Sequence, residues 1–171
     1  MHSHFSALLI IPALAGALVL SGCGGPSLPQ TSPVSGTVSY QGSPVEDATV
    51  IYSRGSRRLA DGEVAIGKTD ASGAFTLTTH VGSQADVPGA VPGQYQVTIS
   101  KQVPPPGMTE SQYQAKLDEV NRIAETGGMA TEDQQPPPRV ELFPGKYSSA
   151  ANTELTAEVD ANGPNEFKFD L

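Results

Sequence analysis

A seven-stranded antiparallel β-sandwich is the fold this sequence predicts, and three observations predict it. Seven short runs alternate apolar and polar residues with period two, the signature of strands with one face buried. Gly, Pro, Asn and Asp punctuate the intervals between them, as turns require. Only one segment departs from that period, so the chain reads as all-β with a single helical insertion between the fifth and sixth strands. Its 171 residues suit one domain with appendages. Trp is absent and aromatics are 6%, so the core is lean.

The strands follow in order. Residues 34–40 place Val34, Val38 and Tyr40 on one face, and Ser35, Thr37 and Ser39 on the other. The stretch Gln41-Gly42-Ser43-Pro44 is a turn. Residues 45–53 set Ala48, Val50 and Tyr52 against Thr49 and Ile51, so this strand is expected to be covered on both sides. Residues 54–63 are a polar loop. Residues 64–69 and 74–79 flank Asp70-Ala71-Ser72-Gly73 as the arms of a hairpin, with Phe75 and Leu77 facing inward. Residues 94–100 point Tyr95, Val97 and Ile99 inward. Residues 154–159 and 166–171 close the sandwich with Leu155, Ala157, Val159, Phe167, Phe169 and Leu171.

The insertion spans 102–152. Pro104, Pro105 and Pro106 stop the preceding strand, since Pro cannot donate to a ladder. Across 109–126 the period becomes helical, with Tyr113, Leu117, Val120 and Ala124 on one stripe. Thr109 and Gln112 fit a capping box, Asp118 and Arg122 an i,i+4 pair, and Gly127-Gly128 a helix stop. Five strands precede this excursion and two follow, so the sandwich reads as complete without it. Its stripe is expected to pack on its own sandwich.

Asp70-Ala71-Ser72-Gly73 could hold a metal or merely turn the chain. A type I turn favours Asp first and Gly fourth, and Asp70 and Gly73 stand there. A calcium loop needs acids at alternate positions, where Ala71, Ala74 and Thr76 stand instead. The reading is a structural turn. No metal or cofactor is expected.

Residues 5–20 form a 16-residue stretch with no charge, short for a membrane span and suited to the apolar region of an export signal. The preceding Met1-His2-Ser3-His4 lacks the usual Lys or Arg. A buried core helix is the other reading. Leu20-Ser21-Gly22-Cys23 follows, and it resembles a bacterial lipobox. The resemblance implies a signal peptide over 1–22 and a lipidated Cys23 that anchors the chain to a membrane. Cys23 is the only cysteine, so the alternatives are a free thiol or an intermolecular disulfide. Gly24 stands where an inner-membrane retention signal commonly has Asp, which favours the outer membrane over the periplasmic face of the inner one. Residues 23–32 make a tether with a reach of roughly 17 Å.

Beyond the tether, three stretches carry a second resemblance. Gly36, Gly42, Pro44, Val45, Ala48 and Val50 fall in the first. Thr69, Asp70, Gly73 and Phe75 fall in the second, and Pro92, Gly93 and Tyr95 in the third. Together they resemble the carboxypeptidase regulatory-like domain of the transthyretin-like, or prealbumin-like, sandwiches. The match covers about 34–101 of a domain expected over 33–171. Residues 142–171 resemble the closing part of small bacterial lipoproteins carrying that domain. The resemblance implies a sandwich without catalytic activity.

Enzymes on related sandwiches need residues this chain lacks. Hydroxyisourate hydrolases use several His and Arg in one groove, and past the signal only His80 remains. Iron dioxygenases of this kind use two Tyr and two His. No His-Glu-x-x-His or Gly-x-Ser-x-Gly occurs. Domains that link a first-strand Lys to a last-strand Asn find no Lys here, so Asn165 has no obvious partner. His80 reads as a strand-end residue. Arg54, Arg57 and Arg58 are the one basic cluster, candidates to hold phosphate or acidic polysaccharide, or else a solvated loop tip. The net charge of -8 argues against nucleic acid. The expected function is a non-catalytic, lipid-anchored module of the cell envelope that binds an envelope protein or polysaccharide. The alternative is an accessory hydrolase or metal-dependent enzyme.

Overall fold

The computed structural model describes residues 28–54, 64–81 and 85–171. The expected signal peptide, Cys23, Arg57 and Arg58 lie outside the described residues. The fold is all-β in character, with two packed sheets and little helix.

The larger sheet uses β3 (Thr49–Ser53), β4 (Val64–Lys68), β6 (Thr78–Val81), β7 (Ala85–Pro88), β8 (Gly93–Ser100) and β11 (Thr156–Val159), in the order β11-β8-β3-β4-β6-β7. The smaller sheet centres on β1 (Ser35–Tyr40). It pairs with β12 (Glu166–Asp170) on one side, and with β2 (Ser43–Pro44) and β5 (Ala74–Thr76) on the other. Val38, Val50, Tyr52, Phe75, Val97, Ile99 and Phe169 fill the space between the sheets, on the faces that period two assigns them.

The tight turn after β1 has both Gln41 and Gly42 in the left-handed region, φ 53° and 79°. Tyr40 pairs with Ser43 across it. That is the primed geometry whose twist matches its flanking strands.

Three expectations about the sheets need correction. Not every pair is antiparallel: β1 and β12 run parallel, in register from Ser35↔Glu166 to Ser39↔Asp170. Period two sets faces and carries no information on direction. The run 74–79 is also not one strand. It splits at Leu77, so that β5 pairs with β1 in one sheet and β6 with β4 in the other. Leu77 is 2% exposed, and its backbone serves both sheets: its N–H donates to Val34 O (3.1 Å) and its carbonyl accepts from Gly89 N (2.7 Å). The expected hairpin therefore crosses the sandwich instead of extending one sheet. Finally, β7 lies outside the seven expected runs, and it ends at Pro88. An edge strand tolerates Pro, and β7 is an edge.

The insertion is shorter than 102–152. A two-residue ribbon, β9 (Gln102–Val103) against β10 (Val140–Glu141), closes its root, and helix α1 (Glu110–Glu125) lies beyond. After β10 the chain is already back in the core. Phe143 is 4% exposed and meets Tyr40 edge-on at 5.2 Å. A short helix, α2 (Gly145–Ser148), brings Tyr147 against the same core, and Ser148 to Ala151 border a surface groove shared with Ile51 and Ile66. The sandwich is thus not complete without 102–152.

In α1 the capping box forms as expected: Thr109 N–H donates to Gln112 Oε1 (2.8 Å) and Gln112 N–H to Thr109 Oγ1 (3.3 Å). Arg122 bonds Glu119 at 2.6 Å rather than the expected Asp118. The inner stripe holds Tyr113 buried, with Leu117, Val120 and Ile123 half-buried, while Ala124 is exposed. None of these residues joins the sandwich core, so the expectation that α1 packs on the sandwich fails.

Candidate functional site

The Asp70–Gly73 segment is a closed turn. Asp70 Oδ1 accepts from Ser72 Oγ (2.7 Å), Ala74 N–H (3.0 Å) and Ser72 N–H (2.8 Å). The Ser72 hydroxyl chiefly, then these amides, hold the Asp70 carboxyl below its ordinary range. Gly73 N–H donates back to Asp70 O (2.9 Å), and Gly73 takes φ 77°. A side chain on Gly73 would meet both that strained φ and the Val38 carbonyl oxygen, which lies against its Cα. Gly73→Val should therefore destabilise by at least about 1–3 kcal/mol, read from the urea midpoint. Calcium should leave the melting temperature of the wild type unchanged. A calcium-dependent rise of several degrees would show a metal loop instead.

Arg54 lines a surface cleft with Gly93, Tyr95 and Glu158, and one end of its guanidinium is taken by backbone carbonyls. Its Nη2 donates to Val91 O at 2.8 Å and to Pro92 O, and its guanidinium lies 4.8 Å from the centre of the Tyr95 ring. Tyr95 Oη also donates to Val91 O, at 2.6 Å. Gly93 is flush with the guanidinium, where any Cβ would overlap it. The sequence shows the pieces, Pro92-Gly93 and Tyr95, but not that a distant Arg closes on them. Behind Tyr95 lies Tyr52, fully buried, whose hydroxyl has no hydrogen-bond partner among the described residues. Burial pushes that phenol well above its ordinary pKa.

His80 Nδ1 lies 2.7 Å from Asp86 Oδ1, across the β6–β7 register. The pair sits on the outer face of the larger sheet, beside Lys68 and Thr78. Among the described residues, no three His, Cys, Asp or Glu side chains gather closely enough to share a metal ion.

Asn165, left without a role by the sequence, is buried and fully bonded. Its Oδ1 accepts from Asp160 N–H (2.8 Å), and its Nδ2 donates to Asp160 O (3.0 Å) and Pro33 O (3.2 Å). It ties the β11–β12 loop to the residues that lead into β1. Ser32 is tied there too, by two backbone bonds to Ala90 (2.8 and 3.0 Å). The lead-in to β1 thus joins the body at one pole.

The arm, residues 102–141, leaves from the other pole. Tyr40 at the end of β1 touches Phe143, and Lys101 Nζ reaches Glu46 O at 2.7 Å. Two residues that sequence reasoning passed over hold the arm's root. Glu141 accepts from Lys101 N–H (3.0 Å), Phe143 N–H (3.0 Å) and Gln102 Nε2 (2.9 Å). Arg139 lies 4.2 Å from the centre of the Tyr113 ring, bonds Glu110 at 2.5 Å and donates to Gln102 O. Arg139, with Gln114, holds the Glu110 carboxyl down at about 2. That tie is complete above the ordinary Glu range and is lost only as pH falls through about 2.

Beyond the root the arm is loosely covered. At 16 residues α1 is about 24 Å long. Lys116 Nζ reaches Asp133 O (3.2 Å) on the return segment, and Met129 past the helix stop is 93% exposed. No helix among the described residues is long and apolar enough to cross a membrane. Searches of family models, of curated proteins and of solved structures found no match to this chain.

Proposed function

We propose that this protein is a non-catalytic, lipid-anchored module of the cell envelope, built on a transthyretin-like sandwich of the carboxypeptidase regulatory-like kind. Its arm meets an envelope protein or polysaccharide on the side away from the bilayer. One observation carries this reading: tether and arm join the body at opposite poles, Ser32 and Asn165 at one, Phe143 and Glu141 at the other. A strand of six residues spans about 20 Å, so the sandwich acts as a spacer between them. The motif Leu20-Ser21-Gly22-Cys23 after an uncharged stretch supports the anchor. Polar side chains of the kind chemistry uses have structural partners: Asp70 in its turn, Arg54 on carbonyl groups, His80 on Asp86.

The anchor is tested first. Labelled palmitate should enter the wild type and not Cys23→Ser, and the wild type should sediment with membranes. Equal labelling of both would reject it.

A further inference from the structure

We infer that β1 and its lead-in are a mechanical clamp, and that the protein's further function is to carry tension between its tether and whatever holds the opposite pole. The inference rests on the anchored reading for its use in the cell, but the clamp is a property of the body alone.

The direction of the strands decides how a pull is resisted. A strand pulled along its own axis from one end, while its neighbour is held at the far end, must break all its hydrogen bonds together. The same two strands pulled apart from one shared end lose their bonds one at a time. β1 and β12 run parallel, so the start of β1 lies at the tether pole and the end of β12 at the arm pole. A pull from residue 30 against Leu171 is therefore shear. Bonds continue past both ends of the register: Ser35 N–H donates to Asn165 O (3.0 Å) and Leu171 N–H to Ser39 O (2.9 Å). The other edge of β1 is held as well, by β5 and β2.

The point where tension would arrive is stitched more densely than a strand lead-in requires. Thr31 Oγ1 donates to Pro88 O (2.7 Å), Ser32 bridges Ala90 in both directions, and Ser32 Oγ donates to Ala161 O (3.1 Å). Asn165 Nδ2 holds Pro33 O (3.2 Å). Four consecutive residues, Thr31 to Val34, are thereby fixed to β7, the turn before β8, the β11–β12 loop and Leu77. All of these bonds lie across the path from tether to body.

Single-molecule pulling tests this on the full chain carrying Cys23→Ser, so that introduced thiols are the only ones. Handles at Gln30→Cys and a C-terminal tag load β1 in shear. Handles at Ser43→Cys and the same tag load the same strands from their shared end. Both sites are exposed, so neither variant disturbs the core. The expected peak force is several-fold higher in the first geometry. Asn165→Ala should lower the first force and leave the second unchanged. Equal peak forces in the two geometries would overturn the clamp, whatever the palmitate result. High shear force without palmitate labelling would keep the clamp and reject the anchor.

Discussion

Gly36→Val leaves no stable sandwich. Gly36 is the second residue of β1, between β12 on one side and β5 on the other. A Cβ there would overlap the Phe167 carbonyl oxygen and the edge of the Phe75 ring at once. The carbonyl belongs to the backbone of β12, so relief would have to separate the parallel pair. The ring is buried and stacks toward Phe169 at 6.3 Å, so it has no free volume to turn into. Overpacking costs typically about 1–3 kcal/mol where side chains can adjust. Here one obstacle cannot adjust, so the cost exceeds that range and consumes much of the roughly 5–15 kcal/mol that holds a domain folded. Circular dichroism of the purified variant should show lost strand signal or a melting temperature lowered by well over ten degrees. A near-native melting curve would mean that β1 and β12 are not paired as described.

Phe143→Ala and Leu117→Asp should differ sharply, although both lie in the span that the alternating pattern does not cover. Phe143 is buried against Tyr40 and belongs to the core. Its truncation should cost about 3–5 kcal/mol, the usual loss for a buried Phe. Leu117 is half-buried within the arm and touches none of the core. Leu117→Asp should leave the main unfolding transition within about 0.5 kcal/mol of wild type, as substitutions away from the core do. Urea denaturation of both variants, followed by tyrosine fluorescence, checks the pair. A large loss from Leu117→Asp would mean that α1 packs on the sandwich after all. A small loss from Phe143→Ala would return residue 143 to the excursion.

These variants mark the boundary between local and non-local information. Which residues face inward is a local matter. Val38, Val50, Tyr52, Val97 and Ile99 are all buried, and the alternation of each run puts them there. The Asp70–Gly73 turn is local too, because an Asp carboxylate closes on amides two and four residues ahead of it. So is the capping box of α1, three residues wide.

What only the tertiary structure decided depends on partners far along the chain. A strand's own residues carry no mark of its neighbour's direction, so the parallel β1–β12 pair, 131 residues apart at Ser39 and Asp170, is invisible to period two. The same holds for Leu77. Its inward face is readable, but its role in passing the chain from one sheet to the other exists only once Val34 and Gly89 flank it. Arg54 reads as a free cation until the Val91 and Pro92 carbonyls take it, and Asn165 reads as idle until Pro33 does. Helical spacing likewise marks the stripe of α1 without naming what covers it, and here the sandwich does not. Alternation and turn chemistry act over two to four residues, and they determined faces, turns and caps. Sheet order, strand direction and the opposite placement of the β1 lead-in and the arm arise from contacts that the chain makes only after it has folded.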